Sequence, residues 1–171
     1  ADPAHSAAFL GSPSPFFSAT GAFTGLVTSP RPDGRIRLGI HDGTHGDDVY
    51  NRSGTGQTRR GAADPGSRVD YDVSLQNDAL VADRLLVRGA GSVRGFTVRY
   101  LDPAGVDVTN QVTAGTYRTP DLAPYRARTL RVAVTVRAGT GPGASLAGTL
   151  TVRSVTDPSR TDTVRFITRR R

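Results

Sequence analysis

From residue 31 onward, apolar residues recur at every second position in several short segments. The segments cover residues 35–40, 69–75, 96–100, 130–136, 149–153 and 163–166. An apolar residue at every second position is typical of a β-strand that buries one of its two faces. Nothing comparable in the chain follows the 3.6-residue period of an amphipathic helix. The pattern therefore predicts an all-β protein.

Turn-forming residues separate these segments. They include PDG at 32–34, DPG at 64–66, DPAG at 102–105, a glycine-rich run at 139–143 and DPS at 157–159. Short strands separated by such turns predict an Ig-like antiparallel β-sandwich of 7–9 strands. The chain has no cysteine and no tryptophan. We therefore expect an aliphatic and tyrosine-based core rather than a disulfide packed against tryptophan.

Residues 31–168 also resemble a known protein module. The matching segments are RPD at 31–33, IRLG at 36–39, GDDVYN at 46–51, GTGQ at 54–57, VSLQND at 73–78, VRY at 98–100, VTAGTY at 112–117, LAP at 122–124 and DTV at 162–164. They are similar to CARDB-like Ig-like domains of large secreted bacterial proteins. The resemblance implies a spacer, adhesive or assembly module with no particular ligand. Where such modules usually have a glycine turn after LAP, this chain has Tyr125.

The N-terminal segment, residues 1–30, has a different composition from the sandwich predicted for residues 31–171. It has no arginine and four prolines, yet it holds four of the six phenylalanines of the chain. Pro13 and Pro15 exclude a helix through its middle, which favours an extended ribbon. The residues expected to anchor this ribbon are Phe9, Leu10, Phe16, Phe17, Phe23 and Leu26.

Two ways of accommodating this segment remain open. It folds back as an extra edge strand of its own sandwich, or it inserts into a neighbouring subunit by β-strand addition. Addition between subunits gives a head-to-tail contact that does not close on itself, and therefore a filament. In outline, a sandwich body with an apolar N-terminal extension resembles the subunits of donor-strand extracellular filaments.

The charged residues exclude much enzyme chemistry. All 22 basic residues are arginine and all 15 acidic residues are aspartate, so the chain has no lysine, glutamate or cysteine. It cannot form a Schiff base, a thiolate nucleophile or a cysteine-ligated metal centre. We therefore expect a protein that is not an enzyme and that needs no cofactor.

One loop combines histidine and aspartate. His41, His45, Asp47 and Asp48 lie within eight residues of one another and are the candidate ligands for a metal ion. The segment has neither EF-hand spacing nor a bidentate glutamate, and it lies between two predicted strands, where aspartate and glycine commonly form turns. We therefore favour a plain loop over a metal site.

The net charge of +7 predicts attraction to polyanions such as an acidic polysaccharide. Many of the arginines occupy outward strand positions, where we expect pairing with Asp70 or Asp72 on a neighbouring strand. Nucleic acid is disfavoured as a partner because no exposed aromatic residues alternate with the arginines. No segment approaches the roughly 18 apolar residues of a transmembrane span.

Taken together, these features predict a secreted bacterial protein located at the cell surface. We expect a structural subunit of an extracellular filament or surface layer, which assembles head to tail with copies of itself through residues 1–30. The alternative is a secreted binding module that recognises carbohydrate or another polyanion, with the N-terminal segment folded back onto its own sandwich.

Overall fold

The computed structural model describes residues 29–171. The candidate assembly residues Phe9, Leu10, Phe16, Phe17, Phe23 and Leu26 lie outside this range, and the division at residue 30 stays a prediction. The described elements are β1 (Pro32–Leu38), β2 (Thr58–Ala63), β3 (Arg68–Asn77), β4 (Leu85–Gly89), β5 (Phe96–Leu101), α1 (Thr109–Ala114), β6 (Tyr117–Arg118), β7 (Ala127–Val136), β8 (Ser145–Ser154) and β9 (Thr161–Arg170). The prediction of an all-β fold is confirmed.

The strands form two sheets. Sheet I has the order β1-β3-β7-β5 and is antiparallel throughout, whereas sheet II has the order β2-β9-β8-β4-β6. In sheet II, β2 runs parallel to β9 and the other pairs are antiparallel. Sheet I matches the ABED sheet of an Ig domain, and β4, β8 and β9 match its CFG sheet. The chain is thus an Ig-like β-sandwich.

The core lies between the two sheets and is aliphatic and tyrosine-based, as predicted. Tyr71 and Tyr100 are fully buried, and the Tyr71 ring packs against Phe166 with 5.6 Å between ring centroids. The Tyr71 hydroxyl donates to the Ile167 carbonyl at 2.8 Å, which satisfies its polar atom inside the core. This bond joins β3 of sheet I to β9 of sheet II.

The first strand is shorter than the sequence pattern predicts. The alternation places Ile40 in the first buried strand, but β1 ends at Leu38 and Ile40 is 69% exposed. The cause is Gly39, whose φ of 64° turns the chain away from the sheet. The alternation also gave no sign of β2, β4, β6 or the six-residue helix α1. Among residues 29–171, no helix is long and apolar enough to cross a membrane.

The turn after LAP keeps the backbone shape that glycine usually provides. Tyr125 adopts a φ of 59°, in the left-handed region that a residue with a side chain seldom enters. Its backbone N–H donates to the Asn77 carbonyl at 2.7 Å, and its ring is 59% exposed. A tyrosine therefore occupies a positive-φ turn at this position.

Candidate assembly edge

Each sheet of the sandwich ends in two edge strands: β1 and β5 in sheet I, and β2 and β6 in sheet II. An edge strand presents backbone N–H and C=O groups that can pair with a strand from another chain. A candidate for strand addition is therefore an edge whose outward backbone groups have no partner. The four edges differ sharply in this respect.

The β1 edge is capped. Every second N–H of this strand points away from β3, and each has a partner. The Gly34 N–H donates to a carboxylate oxygen of Asp162 at 2.7 Å. The Ile36 N–H donates to the His45 carbonyl at 2.8 Å, and the Leu38 N–H donates to a carboxylate oxygen of Asp42 at 3.0 Å. The His45 N–H also donates back to the Ile36 carbonyl at 2.9 Å. A further strand would find no free donor on β1.

The β5 edge is capped in the same way by neighbouring loops. The outward N–H of Phe96 donates to the Val93 carbonyl at 3.0 Å. The N–H of Val98 donates to the Ser92 hydroxyl at 2.9 Å, and the N–H of Tyr100 donates to the Thr109 hydroxyl at 2.9 Å. The strand β6 has only two residues and is too short to pair with an added strand.

The β2 edge is open within the described part of the chain. The Arg165 N–H donates to the Gln57 carbonyl and the Arg171 N–H to the Ala63 carbonyl, so alternate residues from 57 to 63 face β9. The backbone groups of Thr58, Arg60 and Ala62 therefore face away from the sheet. Among residues 29–171, none of these six groups has a hydrogen-bond partner.

The sequence of β2 also leaves this edge accessible. Gly61 lets the strand lie close to β3, since a Cβ on this residue would be 2.5 Å from the Val69 side chain and 2.9 Å from the Tyr71 hydroxyl. Natural edges are commonly protected by charged residues, prolines or bulges. Between residues 58 and 62, the charges are those of Arg59, which pairs with Asp42, and Arg60, which points outward, and proline and bulges are absent.

The histidine and aspartate loop lies over β1. The backbone of His45 bonds to β1, Asp47 forms an ion pair with Arg35 at 2.8 Å, and Asp48 accepts a hydrogen bond from the Tyr50 hydroxyl at 2.8 Å. His41 is exposed in the turn that leads into the loop. Within residues 29–171, no group of three or more His, Cys, Asp or Glu side chains is arranged to hold a metal ion. The interpretation of His41, His45, Asp47 and Asp48 as a plain loop rather than a metal site stays a prediction.

Asp162 is a buried carboxylate that ties β9 to the β1–β2 connection. Besides the Gly34 N–H, it accepts the Asn51 N–H at 2.9 Å and the Gln57 side-chain amide at 2.7 Å. Burial raises the pKa of Asp162, although these hydrogen bonds favour its charged form. The analysis of the sequence missed this role. The available signal was an aspartate at an inward position of the 162–166 alternation.

A second buried carboxylate, Asp33, lies nearby on β1. Neither of its oxygens has a hydrogen-bond partner within residues 29–171, and its nearest cation is the Arg35 Nε atom at 3.7 Å. Burial raises the pKa of Asp33 to about 7, and the neighbouring Asp162 contributes to the rise while Arg35 opposes it. The Asp33 side chain therefore takes up a proton near neutral pH.

Comparison with known proteins gives the fold and little more. No protein-family model and no curated protein matches the chain. The N-terminal domain of PorA aligns with 81% of this chain and 97% of its own length, at 10% identity and a TM-score of 0.50. At this identity the likeness shows the sandwich fold alone.

Two further solved structures align less well. A family 123 glycoside hydrolase from Clostridium perfringens aligns over 67% of this chain at 8% identity and a TM-score of 0.45. This chain spans only 23% of the length of that hydrolase. A variant of BcpA, the major pilin subunit of Bacillus cereus, aligns over 83% of this chain and 40% of its own length, at 12% identity and a TM-score of 0.46.

Proposed function

We propose that this chain is a non-enzymatic structural subunit of an extracellular filament or surface layer. In this proposal the subunits join when residues 1–30 of one copy add as a strand to the open β2 edge of the next. The observation that carries the proposal is the contrast between edges: β1 and β5 are capped by hydrogen bonds, whereas β2 is open within residues 29–171.

The open edge has the right size for strand addition. Thr58, Arg60 and Ala62 offer three N–H and three C=O groups along roughly 13 Å of strand, enough to pair with about five residues of an added strand. Main-chain bonds of this kind supply affinity, and side-chain contacts set the register. The aromatic residues of the N-terminal segment would supply those side-chain contacts.

The proposed location and lack of catalysis rest on the sequence. Residues 31–168 resemble a module of secreted bacterial proteins, which supports a place outside the cell. The absence of cysteine, lysine and glutamate removes the thiolate and amine nucleophiles and one of the two carboxylate general bases, which supports a structural role.

Blocking the β2 edge is expected to abolish assembly of the full chain. In Ala62→Pro, the substitution removes one of the three outward N–H groups of the edge and places a ring where an added strand would pass. Filaments should form from the native chain and be lost from this variant, as seen by negative-stain microscopy and sedimentation. Ala62→Ser is the matched control, because it keeps the N–H and should assemble like the native chain.

A second variant tests the donor segment. Phe16→Ala combined with Phe17→Ala should also give folded monomers, since each lost aromatic anchor costs about 3 kcal/mol or more. A native chain that stays monomeric would overturn the proposed function. Filaments from Ala62→Pro would instead show that another edge accepts the strand.

A further inference from the structure

Within residues 29–171, the outer face of sheet II carries arginines and no carboxylates. In each strand of this sheet the residues that alternate with the buried ones point outward. The outward arginines, called the arginine face from here on, are Arg60, Arg88, Arg118, Arg153, Arg165 and Arg169. All six are exposed, and none forms a salt bridge within residues 29–171.

The outer face of sheet I is different. Its arginines are paired: Arg37 and Arg131 contact Asp72 at 2.9 and 3.5 Å, and Arg68 contacts Asp70 at 2.9 Å. Positive charge on sheet I is thus balanced by aspartates of the same sheet. The excess charge of the described residues therefore lies to a large extent on sheet II, where it has no salt-bridge partner among residues 29–171.

The strand register distributes the arginine face evenly. Cross-strand partners form five successive rows along the strand direction, each containing at least one of the six arginines. The first row holds Arg118 and Arg153, and the rows after it hold Arg88, Arg165, Arg60 and Arg169 in turn. With about 6.8 Å between rows, the track is roughly 27 Å long. Such spacing suits a linear polymer with repeated negative charges.

Hydroxyl groups accompany the arginines. Thr149, Thr151 and Thr161 also point outward from sheet II, and Thr151 and Thr161 line a shallow depression of about 500 Å³ with Arg88 and Arg153. Threonine hydroxyls both donate and accept hydrogen bonds, as sugar hydroxyls do. Arginine guanidinium groups bind carboxylates through two parallel N–H bonds. The two side-chain types together match the two groups found on an acidic sugar.

We propose that the arginine face binds a linear anionic polysaccharide, whose carboxylates pair with the arginines and whose hydroxyls bond to the threonines. Single-stranded nucleic acid fits this surface less well, because its binding relies on aromatic platforms for the bases. Within the described chain, the outward positions of sheet II contain no aromatic residue. The inference does not rest on strand addition. Only Arg60 of the arginine face lies on β2, whereas Arg88 and Arg153 lie on β4 and β8, which β9 separates from β2.

The test is binding of the full chain to polygalacturonate, with dextran as the neutral polymer. Arg88→Gln combined with Arg153→Gln should weaken binding at least about tenfold, because each substitution removes a charge-assisted hydrogen bond. Binding by the native chain should also weaken as salt rises. The control is Arg94→Gln combined with Arg126→Gln, which removes the same charge from exposed positions outside the face and should change Kd by about twofold or less.

Each alternative outcome overturns the inference in a different way. Equal weakening by the two double variants would mean that only net charge matters. Equal affinity for dextran would exclude charge recognition, and tighter binding to oligothymidylate through the same arginines would assign the face to nucleic acid. Filament assembly by both double variants should match that of the native chain, so failure here is distinguishable from failure of the assembly proposal.

Discussion

Replacing Asp162 with alanine is expected to lower the free energy of unfolding by about 4 kcal/mol. The carboxylate accepts hydrogen bonds from the Gly34 N–H, the Asn51 N–H and the Gln57 amide. Each buried donor left without an acceptor costs about 1 to 3 kcal/mol. The total loss of stability is expected near the lower end of the summed cost of these three donors. Burial disfavours the charged form of Asp162, and removing this side chain relieves that cost. Denaturant unfolding at neutral pH measures the loss.

An exposed ion pair provides the control. Asp121 accepts two hydrogen bonds from Arg84 at the surface, where its side chain is 65% exposed. Exposed pairs contribute about 1 kcal/mol or less, so Asp121→Ala should change stability little. Asp162→Asn keeps one acceptor oxygen and should fall between the two. A loss in Asp162→Ala no larger than in Asp121→Ala would show that this buried carboxylate does not anchor the β1–β2 connection.

The architecture could be predicted because most strands bury one face and therefore show the period-two pattern. Tyr71, Tyr100 and Leu130 lie in the core as their alternation indicates. The strand β2 gave no such signal, since its sequence TRRGAA contains no large apolar residue. It exists because β9 pairs with it and because Gly61 allows close packing on β3. Both conditions depend on residues distant in the sequence.

The candidate sites were harder to predict for the same reason. An open edge is defined by the absence of partners, and one of the caps on β1 comes from Asp162, 128 positions from Gly34. The expected pairing across strands is confirmed for Asp72, which contacts Arg37 of β1 and Arg131 of β7. Asp70 instead pairs with Arg68 of its own strand. Within residues 29–171, the outward arginines of sheet II have no facing aspartates. Strand register, which composition and spacing alone do not reveal, separates these two groups.

The protein is expected to lose stability as the pH rises from 5 to 8, and Asp33 is expected to be a main cause. Burial raises its pKa to about 7 in the folded chain, from 3.8 for an ordinary aspartate. Between these values the folded state holds a proton that the unfolded state lacks, so stability falls as the pH rises through this window. The contribution of Asp33 between pH 5 and pH 8 is about 3 kcal/mol. The raised pKa of Asp162 acts in the same direction.

Asp33→Asn isolates this contribution, because the amide resembles the protonated acid in shape and cannot ionise. The stability of the variant relative to that of the native chain should rise by about 3 kcal/mol between pH 5 and pH 8. Comparing the two proteins at each pH cancels the titration of every group that they share. Asp47→Asn is the matched control, since Asp47 pairs with the same Arg35 but its side chain is 65% exposed. Parallel pH profiles for native chain and Asp33→Asn would show that Asp33 stays ionised in the folded protein, and hence that Arg35 outweighs burial at this site.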